Sequence, residues 1–352
     1  MKVIVTGHTG YIGSVLVPML GAAGHDVTGF DTDFFSSCDF NGGIAPVPNI
    51  SKDVREATAA DLEGFDAVIH LAALSNDPLS DLNPECTYEI NHRASVRLAE
   101  LSKAAGVPRF LFSSSCSLYG LSAGADFLTE EAAFNPVTPY GESKVLVEKD
   151  VCRLADDDFS PTYLRNSTAY GISPRLRADL VVNNLVGFAY TTGEVLIASD
   201  GTPWRPLVHV EDICRAFLVV LEAPRELVHN QAFNIGRTEE NYQIRDIAAM
   251  VEQIVPGSHV KYAAGGGPDL RCYRVNCDKI ARTLPAFRTQ WTVRDGIEQL
   301  YRAYKAKRLT ADEFLGRKFI RIRHLKMLLE SGELNGDLRW RVPGIRQEHI
   351  GL

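Results

Sequence analysis

Two hydrophobic periods alternate along the first two thirds of the chain. Val3, Ile4 and Val5 form a short apolar run that breaks into TGHTGYIG. Ile12, Val15, Leu16 and Leu20 then recur at helical spacing, Gly24 stops the helix, and a second apolar run from Val27 to Phe30 ends on Asp31. The alternation continues. Residues 67–73 (AVIHLAA) read as a buried strand, 88–105 as an amphipathic helix, and 109–115 (RFLFSSS) as another strand. Residues 139–154 read as a helix and 162–170 as a further strand. Such alternation predicts an α/β fold, a doubly wound parallel sheet of the Rossmann type with helices on both faces. Pro18 falls inside the first helix, where it removes a hydrogen bond and is expected to bend the axis.

Beyond Gly171 the pattern loosens. Residues 172–203 carry several arginines and the helix-like VVNNLVGFAY, while PLVHVEDICRAFLVVLEAP and QAFNIGR return to the sheet. The expected division is therefore a dinucleotide-binding domain of residues 1–171 and 204–237. A smaller, discontinuous substrate-binding region, 172–203 and 238–308, caps it, and 309–352 form a C-terminal helical tail. The tail is basic (RKFIRIRHLKMLLESG) and reads as a solvated helix face or an oligomer contact rather than a site for an anionic partner.

Composition narrows the functions. A chain of 352 residues can bury a large core, and a net charge of −7 argues against a nucleic-acid partner. No apolar run approaches the roughly 20 residues of a membrane span, and a first strand at Lys2 leaves no room for a signal peptide. The seven cysteines (38, 86, 116, 152, 214, 272 and 277) are scattered without a C-x-x-C pair. They read as reduced thiols of a cytoplasmic protein, and no metal site is expected.

Chemistry concentrates at two places. Gly7, Gly10 and Gly13 let the backbone turn tightly and approach a pyrophosphate, and the following helix presents free N–H groups to it. Asp31, 18 residues beyond Gly13, is placed to accept hydrogen bonds from ribose hydroxyls. A 2′-phosphate there would face like charge with no arginine directly after it, which points to NAD rather than NADP. The second place is TPYGESK, where Thr138 is suited to cap a helix, Pro139 to begin it, and Tyr140 and Lys144 to share one face. A free tyrosine has a pKa near 10, and lowering it by about 3 units requires roughly 4 kcal/mol. A neighbouring ammonium and a cationic nicotinamide are expected to supply that stabilisation. Ser115, at the end of its strand, adds a hydroxyl for the same substrate oxygen. These are the parts of alcohol–ketone hydride transfer.

The G-x-x-G-x-x-G spacing after Thr6 resembles the short-chain dehydrogenase/reductase superfamily. With HLAA, the triple serine, Y-x-x-x-K and DGTPWRPLVHVED, the chain from residue 1 to about 300 resembles its extended branch, the nucleotide-sugar epimerases and dehydratases. The resemblance implies that Ser115, Tyr140 and Lys144 are catalytic. It implies cofactor contacts from Gly7, Gly10, Tyr11, Ile12, Gly13, Asp31, Asp53, Val54, Leu71, Ala72, Ala73 and Asn91, besides Tyr140 and Lys144. Thr168, Asn183, Arg205 and Asp269 would meet a nucleotide-diphosphate sugar, and a homodimer is a family expectation. Departures limit the function. The Asp-Glu pair of the dehydratases is Cys116-Ser117 here, which disfavours dehydration. Thr168 stands where the epimerases have asparagine, Pro206 where aspartate follows Arg205, and Gly266 where an arginine is expected, with Arg271 or Arg274 to compensate. The reading is an NAD-dependent nucleotide-sugar 4-epimerase. A nucleotide-4-keto-sugar reductase of the same fold and a non-catalytic nucleotide-sensing protein stay open.

Overall fold

A computed structural model describes residues 1–40, 42–121, 127–263 and 272–341. Seven parallel strands form the central sheet. In spatial order they are Gln231–Ile235, Ser160–Asn166, Arg109–Ser115, Ala67–His70, Lys2–Thr6, Asp26–Asp31 and Asn49–Ser51. The chain winds outward from Lys2–Thr6 in one direction and then in the other. The crevice between that strand and Ala67–His70 is therefore the topological switch point, where ligands of such sheets bind. The period of two explains both faces. Ile4, Val68 and Phe110 bury one side, while Val3, Val5, Ile69 and Leu111 bury the other against the helix Val210–Glu222.

Three expected elements are corrected. The strand expected over 67–73 ends at His70, because Leu71–Ala73 leave the sheet to wall the cavity described below. The helix expected from residue 88 begins at Pro84, capped by the Asn83 carboxamide, and passes through a π-helical turn at Glu89–Arg93 before running to Ala104. The strand expected over 162–170 breaks at Ser167. Ser160–Asn166 stays in the central sheet, while Thr168–Tyr170 pairs with Trp204–His209 in a separate three-stranded sheet. Of the two stretches that return to the sheet, the first supplies the helix Val210–Glu222 packed on it and the second the strand Gln231–Ile235 that joins it. A third apolar cluster, with Leu185, Val186, Ile247, Ile297 and Leu300, lies under that second sheet. Pro18 lies within the helix Gly13–Ala22 on its exposed side.

The tail is also corrected. One face of it is packed into the body of the protein rather than solvated. Phe314, Phe319 and Leu325 are fully buried. The helix Arg321–Glu330 turns Arg321, His324, Leu325 and Leu328 inward, and Leu325, Leu328, Leu334 and Leu338 join the cluster that holds Phe30, Phe34 and Ile90. Two basic residues share the buried face, which is why the sequence pattern reads as solvated. Among the described residues, no helix is long and apolar enough to cross a membrane. Leu325→Ala is expected to lower the unfolding free energy by about 2–4 kcal/mol in a denaturant titration. A loss below about 0.5 kcal/mol would be the behaviour of a surface helix.

Candidate active site

The glycine turn is built by close approach. Gly7 has φ 71°, and a Cβ there would lie 2.7 Å from the Ala72 nitrogen. A Cβ on Gly13 would lie 2.4 Å from the Gly7 oxygen, so the helix can start only with glycine at this point. No acid occupies the first turn of the helix Gly13–Ala22, which leaves its N-terminal dipole available to an anion. Asp31 is fixed at the end of its strand. Its Oδ2 accepts from Thr9 N at 3.0 Å and Thr9 Oγ1 at 2.8 Å, and its Oδ1 accepts from Asp33 N at 2.9 Å. Burial, followed by the Asp31 charge, pushes the Asp33 carboxyl upward.

A cavity of about 660 Å³ runs from this turn along the carboxyl ends of the strands. Gly7, Gly10–Gly13, Asp31, Asp53, Val54 and Leu71–Ala73 line one end; Ser115, Tyr140, Lys144, Thr168 and Arg205 line the other. Asp53 caps the turn Val54–Glu56 through Arg55 N at 2.8 Å and pairs with the Arg55 guanidinium at 2.6 Å. The Asn91 expectation is corrected. Its carboxamide bonds the Leu74 main chain (2.8 and 3.0 Å) and supports the cavity wall from behind rather than lining it.

At the other end, Thr138 caps the helix Pro139–Val151 by accepting from Gly141 N at 3.2 Å, and donates to Asp77 at 2.8 Å. Lys144 Nζ donates to the Ser113 carbonyl at 2.7 Å and lies 5.7 Å from the Tyr140 ring centre. Its ammonium is buried, which lowers its pKa to about 7 against an upward pull from Glu148. Tyr140 is raised, chiefly by burial, while the hydrogen bond from Ser115 pulls it down; among the charges, Asp77 raises it and Arg177 lowers it. Of the two charges expected to favour the phenolate, the Lys144 ammonium does not do so by itself. Desolvation disfavours both charged forms, and Lys144 is aimed at a carbonyl rather than at the phenol.

The sugar end departs further from expectation. Thr168 and Arg205 reach the cavity, and Arg205 donates to the Trp204 carbonyl at 2.8 Å. Asp269, Gly266 and Arg271 lie outside the described residues. Arg274 stacks over Phe127 and Trp204 (4.7 and 5.0 Å) instead of lining the cavity. Asn183 is corrected as well. Its carboxamide holds Gly171 N (2.9 Å) and Arg177 O (3.0 Å), and its neighbour Asn184 is the one at the cavity wall. Cys116 points away and donates to the Arg165 carbonyl at 3.2 Å, and burial pushes its thiol up to about 12. Position 116 therefore offers no acid or base.

Several lining residues escaped the sequence reading. Asn166 is the register partner of Ser115, donates to Ser113 Oγ at 3.0 Å, and keeps its buried Oδ1 without a partner among the described residues. Arg177 and Asp179 form a two-point pair (3.0 and 2.7 Å), and Arg177 also reaches Ser75 Oγ at 3.0 Å. The signal for this pair was present in the arginine-bearing PRLRAD. Arg321, from the tail, also lines the cavity. Among the described residues, no group of three His, Cys, Asp or Glu side chains could hold a metal ion.

A serine, tyrosine and lysine facing a glycine turn across one cavity of a parallel sheet mark the extended short-chain dehydrogenase/reductase class. More narrowly, residues 3–236 match the NAD dependent epimerase/dehydratase family, and the chain belongs to that family as an NAD-dependent enzyme. It is 31% identical over 297 residues to a UDP-glucose 4-epimerase of Lactobacillus helveticus, spanning 76% of this chain and 87% of that one. The fold superposes on MoeE5 in complex with UDP-glucuronic acid and NAD with a TM-score of 0.75 at 27% identity, over 87% of this chain and 99% of the other. A dTDP-glucose 4,6-dehydratase, DesIV of Streptomyces venezuelae, also with NAD bound, gives 0.74 at 25% identity over 88% and 98%.

The residues present fit NAD. The helix start is free of acid, the glycine cradle has no room for a Cβ, and Asp31 is pre-aligned. Equilibrium binding is expected to favour NAD over NADP by about tenfold or more, with Asp31→Ser narrowing the gap. A preference for NADP would overturn this reading of Asp31. Lys144 also makes stability depend on pH. Its pKa is 10.5 when unfolded and about 7 when folded, so the unfolded chain binds more protons between those values. This contribution is complete above pH 10.5 and is lost as pH falls towards 7. The stability difference between wild type and Lys144→Met is expected to change by up to about 1.4 kcal/mol per pH unit within that window. A flat difference from pH 7 to 9 in denaturant titrations would contradict it.

Proposed function

We propose that the protein is a nucleotide-sugar 4-epimerase in which Tyr140 exchanges the C4 hydroxyl proton. The observation that carries this reading is the convergence of Ser115, Tyr140 and Lys144 on the cavity whose far end is the glycine turn. NAD, when bound, would supply a reversible hydride acceptor and the positive charge of its oxidised ring. Tyr140 takes the proton of the sugar C4 hydroxyl and later returns it. Ser115, which lines the same cavity as that phenol, steadies the same substrate oxygen. Lys144 is held by the Ser113 carbonyl, so its charge adds to the field that draws the proton off the substrate. Burial excludes water from the 4-keto sugar while it turns its other face. Arg205 is suited to clamp the diphosphate.

The UDP-glucose 4-epimerase and MoeE5 likenesses support a UDP-sugar as substrate class. The inward-turned Cys116 speaks against elimination at C6. Two measurements test the proposal. Tyr140→Phe is expected to fold and bind NAD while losing at least about a thousandfold in turnover, since only the proton-carrying oxygen is removed. Substantial residual activity would sink the catalytic assignment. Incubation with a panel of UDP-, TDP-, GDP- and CDP-sugars, read by NMR and mass spectrometry, is expected to show interconversion of one 4-epimeric pair without added reductant. Stoichiometric consumption of NAD(P)H with a 4-keto sugar, and no interconversion, would instead make it a reductase.

A further inference from the structure

The tail beyond Gly332 ties together loops that leave two neighbouring strands of the central sheet. Trp340 Nε1 donates to the Thr32 carbonyl at 2.8 Å, one residue past Asp31, and its ring lies 5.9 Å from Phe34. Arg55, beyond the strand Asn49–Ser51, donates Nη1 to the Asp337 carbonyl at 2.8 Å and Nη2 to the Leu338 carbonyl at 3.1 Å. The same guanidinium grips Asp53 through Nε at 2.9 Å and Nη2 at 2.6 Å. Leu338 adopts φ 53°, a left-handed conformation unfavourable for leucine, at the residue whose carbonyl meets Arg55. Arg339 pairs with Glu56 at 2.7 Å on the next residue of that loop.

We propose that this segment is a strap that closes the adenosine end of the NAD site, with Arg55 as the positioning residue that transmits its hold to Asp53. The inference rests on NAD occupying the cavity. Thr32, Phe34 and Asp53 all line it, at the end remote from Tyr140 and beside the ribose-facing Asp31. Arg55 is almost wholly buried, with its side chain only 8% exposed. The two tail carbonyls satisfy donors that Asp53 does not fill, and so hold the carboxylate in one orientation. Without the tail, the loops at 32–35 and 53–56 each lose their hydrogen bonds to it. The strap therefore acts on cofactor release rather than on the chemistry at C4.

The test is exchange of bound NAD against an excess of isotopically labelled NAD, followed by mass spectrometry on the full chain and its variants. Arg55→Met and a chain ended at Gly332 are expected to release NAD about tenfold faster, and Trp340→Phe, which keeps an aromatic ring beside Phe34 but removes the indole N–H with part of the fused ring, about threefold faster. The KM for the nucleotide sugar should stay unchanged in Trp340→Phe. Thermal unfolding of the NAD-free forms separates lost retention from lost fold, and Trp340→Phe decides if the shortened chain does not fold. Unchanged exchange in the folded variants would overturn the strap. A full chain that takes up no NAD at all would overturn the cofactor reading on which it stands.

Discussion

The constraint on which the rest depends is the approach of two backbones at the switch point of the sheet. Gly7 lies so close to the Ala72 nitrogen that no side chain fits between them. Beneath that contact, the Thr6 hydroxyl and His70 Nδ1 lock the two strand ends at 2.6 Å. The His70 imidazole is held neutral by burial, its pKa lowered to about 3. This junction opens the crevice on one side and aims the first helix at it. It also lets Leu71–Ala73 turn out of the sheet as a wall. The serine strand and the tyrosine helix then deliver their side chains to the same crevice from the other half of the winding.

Desolvation sets the chemistry inside. Burial raises the Tyr140 phenol and lowers the Lys144 ammonium, so neither charge is stabilised by the other alone. A site of this kind responds strongly to added positive charge, because charges interact more strongly where water is excluded. In the proposed function, that favours proton transfer coupled to occupancy by an oxidised nicotinamide over a permanently ionised base.

The cofactor half was readable because its requirements are local. Glycine spacing, an acid at a strand end, and a capped helix carrying tyrosine and lysine on one face are properties of short segments. Ser115 was readable because its strand, Arg109–Ser115, has a clean apolar run with a polar end. The sugar half was less legible because its residues come from loops whose direction no period specifies. Asn183 and Asn184 are adjacent in sequence, yet one braces Gly171 and the other faces the cavity. Asn166 reaches the site only through its register with Ser115. The tail was misread for a related reason: Arg321 and His324 are buried beside Leu325, and hydropathy alone assigns such residues to solvent.

The central claim is that one resident NAD and one buried tyrosine take the sugar through a 4-keto state and back. A nucleotide sugar carrying deuterium at C4 tests it most directly. The product epimer is expected to retain the deuterium at C4, within the same sugar molecule and with no washout into water, as followed by NMR and mass spectrometry. Loss of the label to solvent, or its appearance in a pool of added NAD, would contradict the account.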